Sequence, residues 1–113
     1  MARYGVGTSR ALVSGVPELL LLQLLARRPM YGYELARAVR LASSGSLSIG
    51  EGVLYPALHA LQRKRLLRAR PRSIEGRTRI YYEITARGRT RLASLTAQWR
   101  KLVRDVAAVM RRG

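Results

Sequence analysis

The chain has no cysteine, a single histidine and few acids. Without cysteine there is no disulfide, no thiol nucleophile and none of the usual zinc sites. One imidazole, His59, beside six Asp and Glu residues does not make a metal centre, and neither a metal nor a cofactor is expected. The shortage of acid says more. Against those six stand 22 Lys and Arg, a formal charge of +16. Lysine is scarce too, found only at Lys64 and Lys101, so nearly all of the base is arginine. Arginine pairs bidentately with phosphate and is weakly hydrated, which suits a polyanionic partner. A genome-wide preference for arginine explains part of the arginine-to-lysine ratio but not the missing acids. A charge this lopsided repels itself unless something neutralises it.

A membrane-spanning run is also lacking. Arg3 and Arg10 precede "VPELLLLQLLA", which superficially resembles a signal peptide. Pro17, Glu18 and Gln23 interrupt its apolar run, and Arg27 and Arg28 stand where small residues would mark cleavage. The run is too short to cross a bilayer, so it is expected to be a buried helix of a cytoplasmic protein. What remains is a chain of 113 residues with 48% apolar content, enough for one small domain with a core rather than a disordered basic tail.

Residues 1–14 show no periodicity and are expected to form a mobile arm. A first helix is predicted from about Pro17 to Arg28, with leucines around most of its circumference. A second is predicted from about Tyr31 to Ala42, with Leu35 and Val39 facing the core. The third has the clearest start signal: Ser48 and Glu51 have capping-box spacing, and Leu54, Leu58 and Leu61 form a buried stripe. Pro56 is an awkward member of that helix, because it removes a hydrogen bond. Two strands follow, near Leu66–Arg70 and Arg79–Ile84, joined through Gly76. In the second, Ile80, Tyr82 and Ile84 alternate with Arg79, Tyr81 and Glu83, and the former set is expected to face the core. Thr85 is a good N-cap for a last helix reaching Arg112, about 40 Å at 1.5 Å per residue. Along it Leu92, Leu95, Trp99, Leu102, Val106 and Val109 follow a 3-4 spacing, which makes an a/d seam for a partner helix.

Three helices, a hairpin and another helix is the order of a winged helix-turn-helix, in which the third helix presents a polar face to a DNA groove. The expected fold is therefore mainly α with a β-hairpin wing: a winged domain over residues 15–84 and a long C-terminal dimerisation helix over residues 85–113. The motifs "YGYEL" (Tyr31–Leu35), "GVLYPALHAL" (Gly52–Leu61) and "GRTRIYYEIT" (Gly76–Thr85), followed by Gly88, resemble the PadR family of bacterial transcriptional regulators. The resemblance covers roughly residues 17–112. It implies a dimeric, sequence-specific repressor, often relieved by a small molecule, and looks like the short, single-domain members. Two positions depart from the family pattern. Arg65 stands where a glycine is common, which puts the geometry between helix and wing in question, and Gln62 stands where an acid is common.

On the residues themselves, Ser48, Glu51, Tyr55, His59 and Arg63 are the groove-facing candidates of the third helix. Gly52 and Lys64 join them, with Tyr31 from the start of the second helix and Arg77 and Arg79 from the wing. Glu51 is either a cap or an acceptor for cytosine. Tyr55 either donates to phosphate or packs beside Pro56. Of Tyr31 and Tyr33, one is expected in the core and Tyr31 at a phosphate. Between Arg63 and Arg91 eleven positive residues face only Glu75 and Glu83. Arg87, Arg89 and Arg91 oppose the dipole of the last helix, which points to a missing polyanion. Trp99 has three readings: anchor of the dimer seam, wall of a pocket for a small aromatic inducer, or intrachain core.

The leading function is a dimeric DNA-binding regulator. A sequence-tolerant nucleic-acid packaging or RNA-binding protein also fits +16. A winged protein-interaction module would not need arginine aimed at a helix start. No nucleophile-base set, phosphate loop or metal cluster supports an enzyme.

Overall fold

A computed structural model describes the backbone of residues 6–112 and the side chains of residues 15–112. The elements are α1 (Val6–Leu25), β1 (Met30–Tyr31), α2 (Gly32–Ala42), α3 (Glu51–Arg63), β2 (Leu67–Ile74), β3 (Arg77–Ile84) and α4 (Ala86–Arg112). The strands form an antiparallel sheet in the order β1-β3-β2. This is the winged helix-turn-helix with a long last helix that the element order predicts. Among the described residues no helix is long and apolar enough to cross a membrane.

The core is built almost entirely of leucine. Leu21, Leu22 and Leu25 of α1 meet Leu35 and Val39 of α2 and the stripe Leu54, Leu58 and Leu61 of α3. Met30, Leu66, Leu67, Tyr82 and Leu95 close it from the sheet and α4. Each such leucine contributes roughly 1.5–3 kcal/mol by leaving water, so α1, which packs on α2, α3 and α4, is the organising element.

The first helix differs from expectation at both ends. It begins at Val6, so residues 6–14 are helical in backbone, while the rest of the expected arm, 1–5, lies outside the described residues. Pro17 sits inside it rather than at its start; a proline forfeits its own N–H bond, and a helix can continue on either side at that cost. It ends at Leu25, before Arg27 and Arg28, because Pro29 biases Arg28 toward extended backbone. Met30 and Tyr31 then pair with Tyr82 and Tyr81 as β1, a strand too short to show any period in sequence.

The predicted capping box on α3 does not form. Its N-cap is Gly50 and Glu51 is the first helical residue, so Ser48 lies too far upstream to cap. The Glu51 carboxylate favours the positive end of the dipole instead. The back-reaching acid is on α2, where the Tyr31 N–H donates to Glu34 Oε1 at 3.2 Å.

Arg65 takes the conformation that glycine usually holds, with φ 63°. Its N–H donates to the Gln62 carbonyl at 2.9 Å and the Leu66 N–H to the Leu61 carbonyl at 2.9 Å. This is a Schellman ending, sealed by the buried Leu61 and Leu66. Arginine therefore leaves the helix-to-wing geometry intact but strains one residue. Left-handed backbone costs a side chain about 1–2 kcal/mol, and glycine gives back roughly 0.4–1 kcal/mol in unfolded-chain entropy. Arg65→Gly is expected to stabilise the fold by about 0.5–1 kcal/mol, read as a higher urea midpoint with an unchanged m-value; a lower midpoint would show that Arg65 is not strained.

The wing is longer than its apolar pattern. Glu75 (φ 51°) and Gly76 (φ 77°) form a two-residue turn of the primed type, whose twist matches that of the strands. Pairing runs from Leu67↔Ile84 out to Ile74↔Arg77. The outer half has no core beneath it, so its sequence does not alternate as a half-buried strand would. For the same reason Ile80, expected to face the core, is exposed, whereas Tyr81 and Tyr82 are both buried.

Thr85 caps α4 as predicted: the Gly88 N–H donates to its Oγ1 at 3.0 Å, and that hydroxyl donates to the Arg65 carbonyl at 2.8 Å.

Candidate nucleic-acid interface

Burial of Leu54, Leu58 and Leu61 turns the opposite face of α3 to solvent. On that face Glu51, Gly52, Tyr55, His59 and Arg63 are exposed, with Ser48 in the loop before it and Lys64 at its C-cap. A Cβ on Gly52 would meet nothing within 4 Å, so no packing demands glycine there. A bare backbone near the start of an outward helix is what close approach to a groove requires.

Tyr55 ties this helix to α2. Its phenol ring lies where a Cβ on Gly32 would be, with Cζ 2.8 Å from that position, and its ring centroid is 6.5 Å from that of His59. Burial pushes the Tyr82 phenol above its ordinary pKa, and the nearby Tyr55 phenol adds to the shift. Tyr55 thus packs on Gly32, not merely beside Pro56, while staying partly open to a phosphate.

Next to Gly32 stands Tyr31, whose hydroxyl accepts a hydrogen bond from Arg79 Nη1 at 3.0 Å. The Arg79 guanidinium carbon sits 4.5 Å from the centre of the Tyr31 ring. Four candidates, Tyr31, Tyr55, His59 and Arg79, therefore join through contacts that run from α3 across the start of α2 to the wing. Ser48, Arg63, Lys64 and Arg77 are exposed around that line rather than members of it; Arg77 is at the wing tip, opposite Ile74. Neither tyrosine of the YGY motif reaches the core. Tyr33 is 61% exposed, because it follows the helix start and points off α2, and it stacks at 6.4 Å on Tyr31.

Two features were not anticipated as contacts. Val53 on α3 is 51% exposed, an apolar side chain of the kind that meets a thymine methyl; beside the Leu54, Leu58 and Leu61 stripe it carries no polar signal in the sequence. Arg72 lies 4.6 Å over the Tyr81 ring. A two-residue turn at Glu75–Gly76 would have placed it opposite Arg79.

The arginines at the start of α4 correct the dipole argument. Arg91 Nε donates to Glu18 Oε2 at 3.3 Å, and Arg89 Nη2 reaches toward the Ala26 carbonyl at 3.5 Å. These two staple α4 to α1, and Arg89 faces the negative end of α1, which offsets its misplacement on α4. Sequence order could not reveal that neighbour. Only Arg87 of the three stays on the surface without such a contact among the described residues.

Along α4 the expected seam divides. Leu95 belongs to the chain's own core and Leu92 packs against it. Trp99, Val106 and Val109 are exposed and Leu102 is half-buried. Trp99 is thereby excluded from the intrachain core. A hollow of about 450 Å³ along α4, lined by Gln23, Arg89, Leu92, Thr96 and Arg100 among others, does not include Trp99.

The family model of the PadR-like transcriptional regulators matches residues 21–94 of this sequence. The chain belongs to the PadR-like family. Solved relatives agree in fold. A PadR family transcriptional regulator from Eggerthella lenta is 30% identical with a TM-score of 0.74, over 93% of this chain and 91% of that one. One from Clostridium difficile is 26% identical with a TM-score of 0.75, over 85% and 99%. An uncharacterised protein of Lysinibacillus sphaericus is 28% identical over 89 residues, 78% of this chain and 82% of its own length. Membership makes this PadR-like chain a DNA-binding transcriptional regulator and not an enzyme. The matched span runs from the first core leucines to the third turn of α4, so the PadR-like signature holds most of the winged domain and stops short of Trp99.

Proposed function

We propose that this PadR-like regulator is a homodimeric repressor that reads a roughly palindromic operator and is released by a small molecule. The observation that carries the dimer is the far half of α4. Trp99, Val103, Val106, Val109 and Met110 are 41–75% exposed on a helix that extends past its own core. A line of apolar side chains there is suited to a second copy. The DNA half of the reading rests on the outward face of α3 with the Tyr31–Arg79 wing beside it. α3 would enter the major groove, and half-sites would lie about one helical turn, roughly 34 Å, or a multiple apart. Release by a ligand rests on the family resemblance and on a half-open Trp99, an aromatic plane suited to a flat compound. Quenching of Trp99 fluorescence by planar aromatics would support that part, and silence across a broad panel would remove it.

The decisive experiment is a gel shift on the DNA upstream of the chain's own gene, at roughly 0.15 M salt in excess random duplex. A complex that survives the competitor is expected. One that dissolves would favour the sequence-tolerant packaging alternative, which the +16 charge also suits.

A further inference from the structure

The register of the wing makes Arg72 and Arg79 direct cross-strand partners on one face of the hairpin. Like charges placed opposite each other destabilise a strand pair. Three arginines have acids, Arg28 with Glu34, Arg70 with Glu83 and Arg91 with Glu18, and on this face of the wing the nearest acid, Glu83, is taken by Arg70. Among the described residues neither Arg72 nor Arg79 forms an ion pair with a carboxylate.

Each instead has a tyrosine. The Arg72 guanidinium lies 4.6 Å from the Tyr81 ring centre and that of Arg79 4.5 Å from the Tyr31 ring centre. The two rings meet edge to face at 5.4 Å. Cation-π contact orients a guanidinium without neutralising it, and it leaves most of its five N–H donors free. Two oriented, unneutralised forks on adjoining seats lack one component, an anion with oxygens for both.

We propose that Arg72 and Arg79 form a single phosphate seat, closing together on one phosphodiester of the DNA backbone. Tyr31 and Tyr81 are its positioning residues. The inference rests on the wing's part in DNA binding and adds to it Arg72 and a stoichiometry of two arginines to one phosphate. Arg77, two residues further along β3 toward the tip, stands outside the seat.

The test measures binding to a labelled duplex of the upstream DNA as salt is varied. Each phosphate neutralised contributes about 0.9 to the slope of log K against log salt. The double variant Arg72→Ala/Arg79→Ala is expected to lower that slope by about 0.9. A fall of about 1.8 would mean two separate phosphates and overturn the shared seat, as would an unchanged affinity in Arg72→Ala alone. Folding is checked by Arg72→Glu, which sets a carboxylate against Arg79. It is expected to raise the thermal midpoint at low salt while weakening the duplex complex at least tenfold; a lowered midpoint would contradict the repulsion. A second arm needs no DNA: the midpoint in sodium sulfate is compared with that in sodium chloride of equal ionic strength. The sulfate gain is expected to be larger in the unmodified chain than in the double variant, and equal gains would count against an anion seat. If the unmodified chain failed to hold the duplex, the DNA reading would fall while the sulfate arm still decided the seat.

Discussion

Gly88→Ala is expected to cost the fold about 2–3 kcal/mol, a drop in melting temperature on the order of 10 °C. Gly88 lies in the first turn of α4 and is buried. A Cβ there would collide with the Leu66 carbonyl oxygen and stand 2.7 Å from Ile84 Cγ1. The first obstacle is backbone, and it is already committed: that carbonyl accepts from the Thr85 N–H at 3.0 Å and shares the Thr85 hydroxyl, 3.1 Å away, with the Arg65 carbonyl. It therefore cannot move aside without loosening the cap of α4 and the end of α3 together. Alanine recovers up to about 1 kcal/mol of helix propensity, less than the clash costs. Gly52→Ala is the control, since open space surrounds Gly52. It should hold or raise the melting temperature and weaken only DNA binding. Equal melting temperatures for Gly88→Ala and the unmodified chain would show that α4 does not press on Leu66 as described.

Val106→Asp is expected to split the proposed dimer and weaken operator binding by 10²-fold or more. Val106 is 48% exposed and sits one heptad beyond Trp99 on the same stripe. In one chain it touches little, so the substitution should leave the monomer's stability within about 0.5 kcal/mol. In a dimer seam it would bury an unpaired carboxylate, which costs several kcal/mol per copy. Once the two winged domains separate, the second half-site is no longer held at high effective concentration, and that linkage is worth 10²–10⁴ in avidity. Sedimentation velocity reads the first effect and a gel shift the second. A dimer that persists in Val106→Asp would place the interface elsewhere.

The sequence was most legible where one residue type serves one physical purpose. Leucine spacing located α3, Thr85 located α4, and the element order gave the winged architecture. It misled where the deciding partner is distant in the chain. Ser48 and Glu51 have the spacing of a cap, but the helix starts two residues later than that cap requires. Ile80 alternates as a core residue would, on a part of the wing with no core under it. Arg89 and Arg91 point to a polyanion when read by position alone, because local pattern does not show that Glu18 and the end of α1 lie alongside. Within the interface, Tyr31, Tyr55, His59 and Arg79 were individually visible. What local pattern could not supply is the contact through Gly32 that makes them one surface.

That contact limits how the molecule can be regulated. With the Tyr55 ring filling the space above Gly32, α2 and α3 cannot change their crossing angle without one of them lifting off. The Leu66 junction and the Arg91–Glu18 pair likewise lock the root of α4 to the rest of the winged domain. The reading surface is then a stiff body, and the lever on it is the projecting half of α4. An effector of the proposed dimer would act on span, resetting the distance and tilt between two unchanged reading heads until they no longer match the pitch of the duplex. In such a device the helix works as callipers, and the signal is geometric misfit rather than altered recognition.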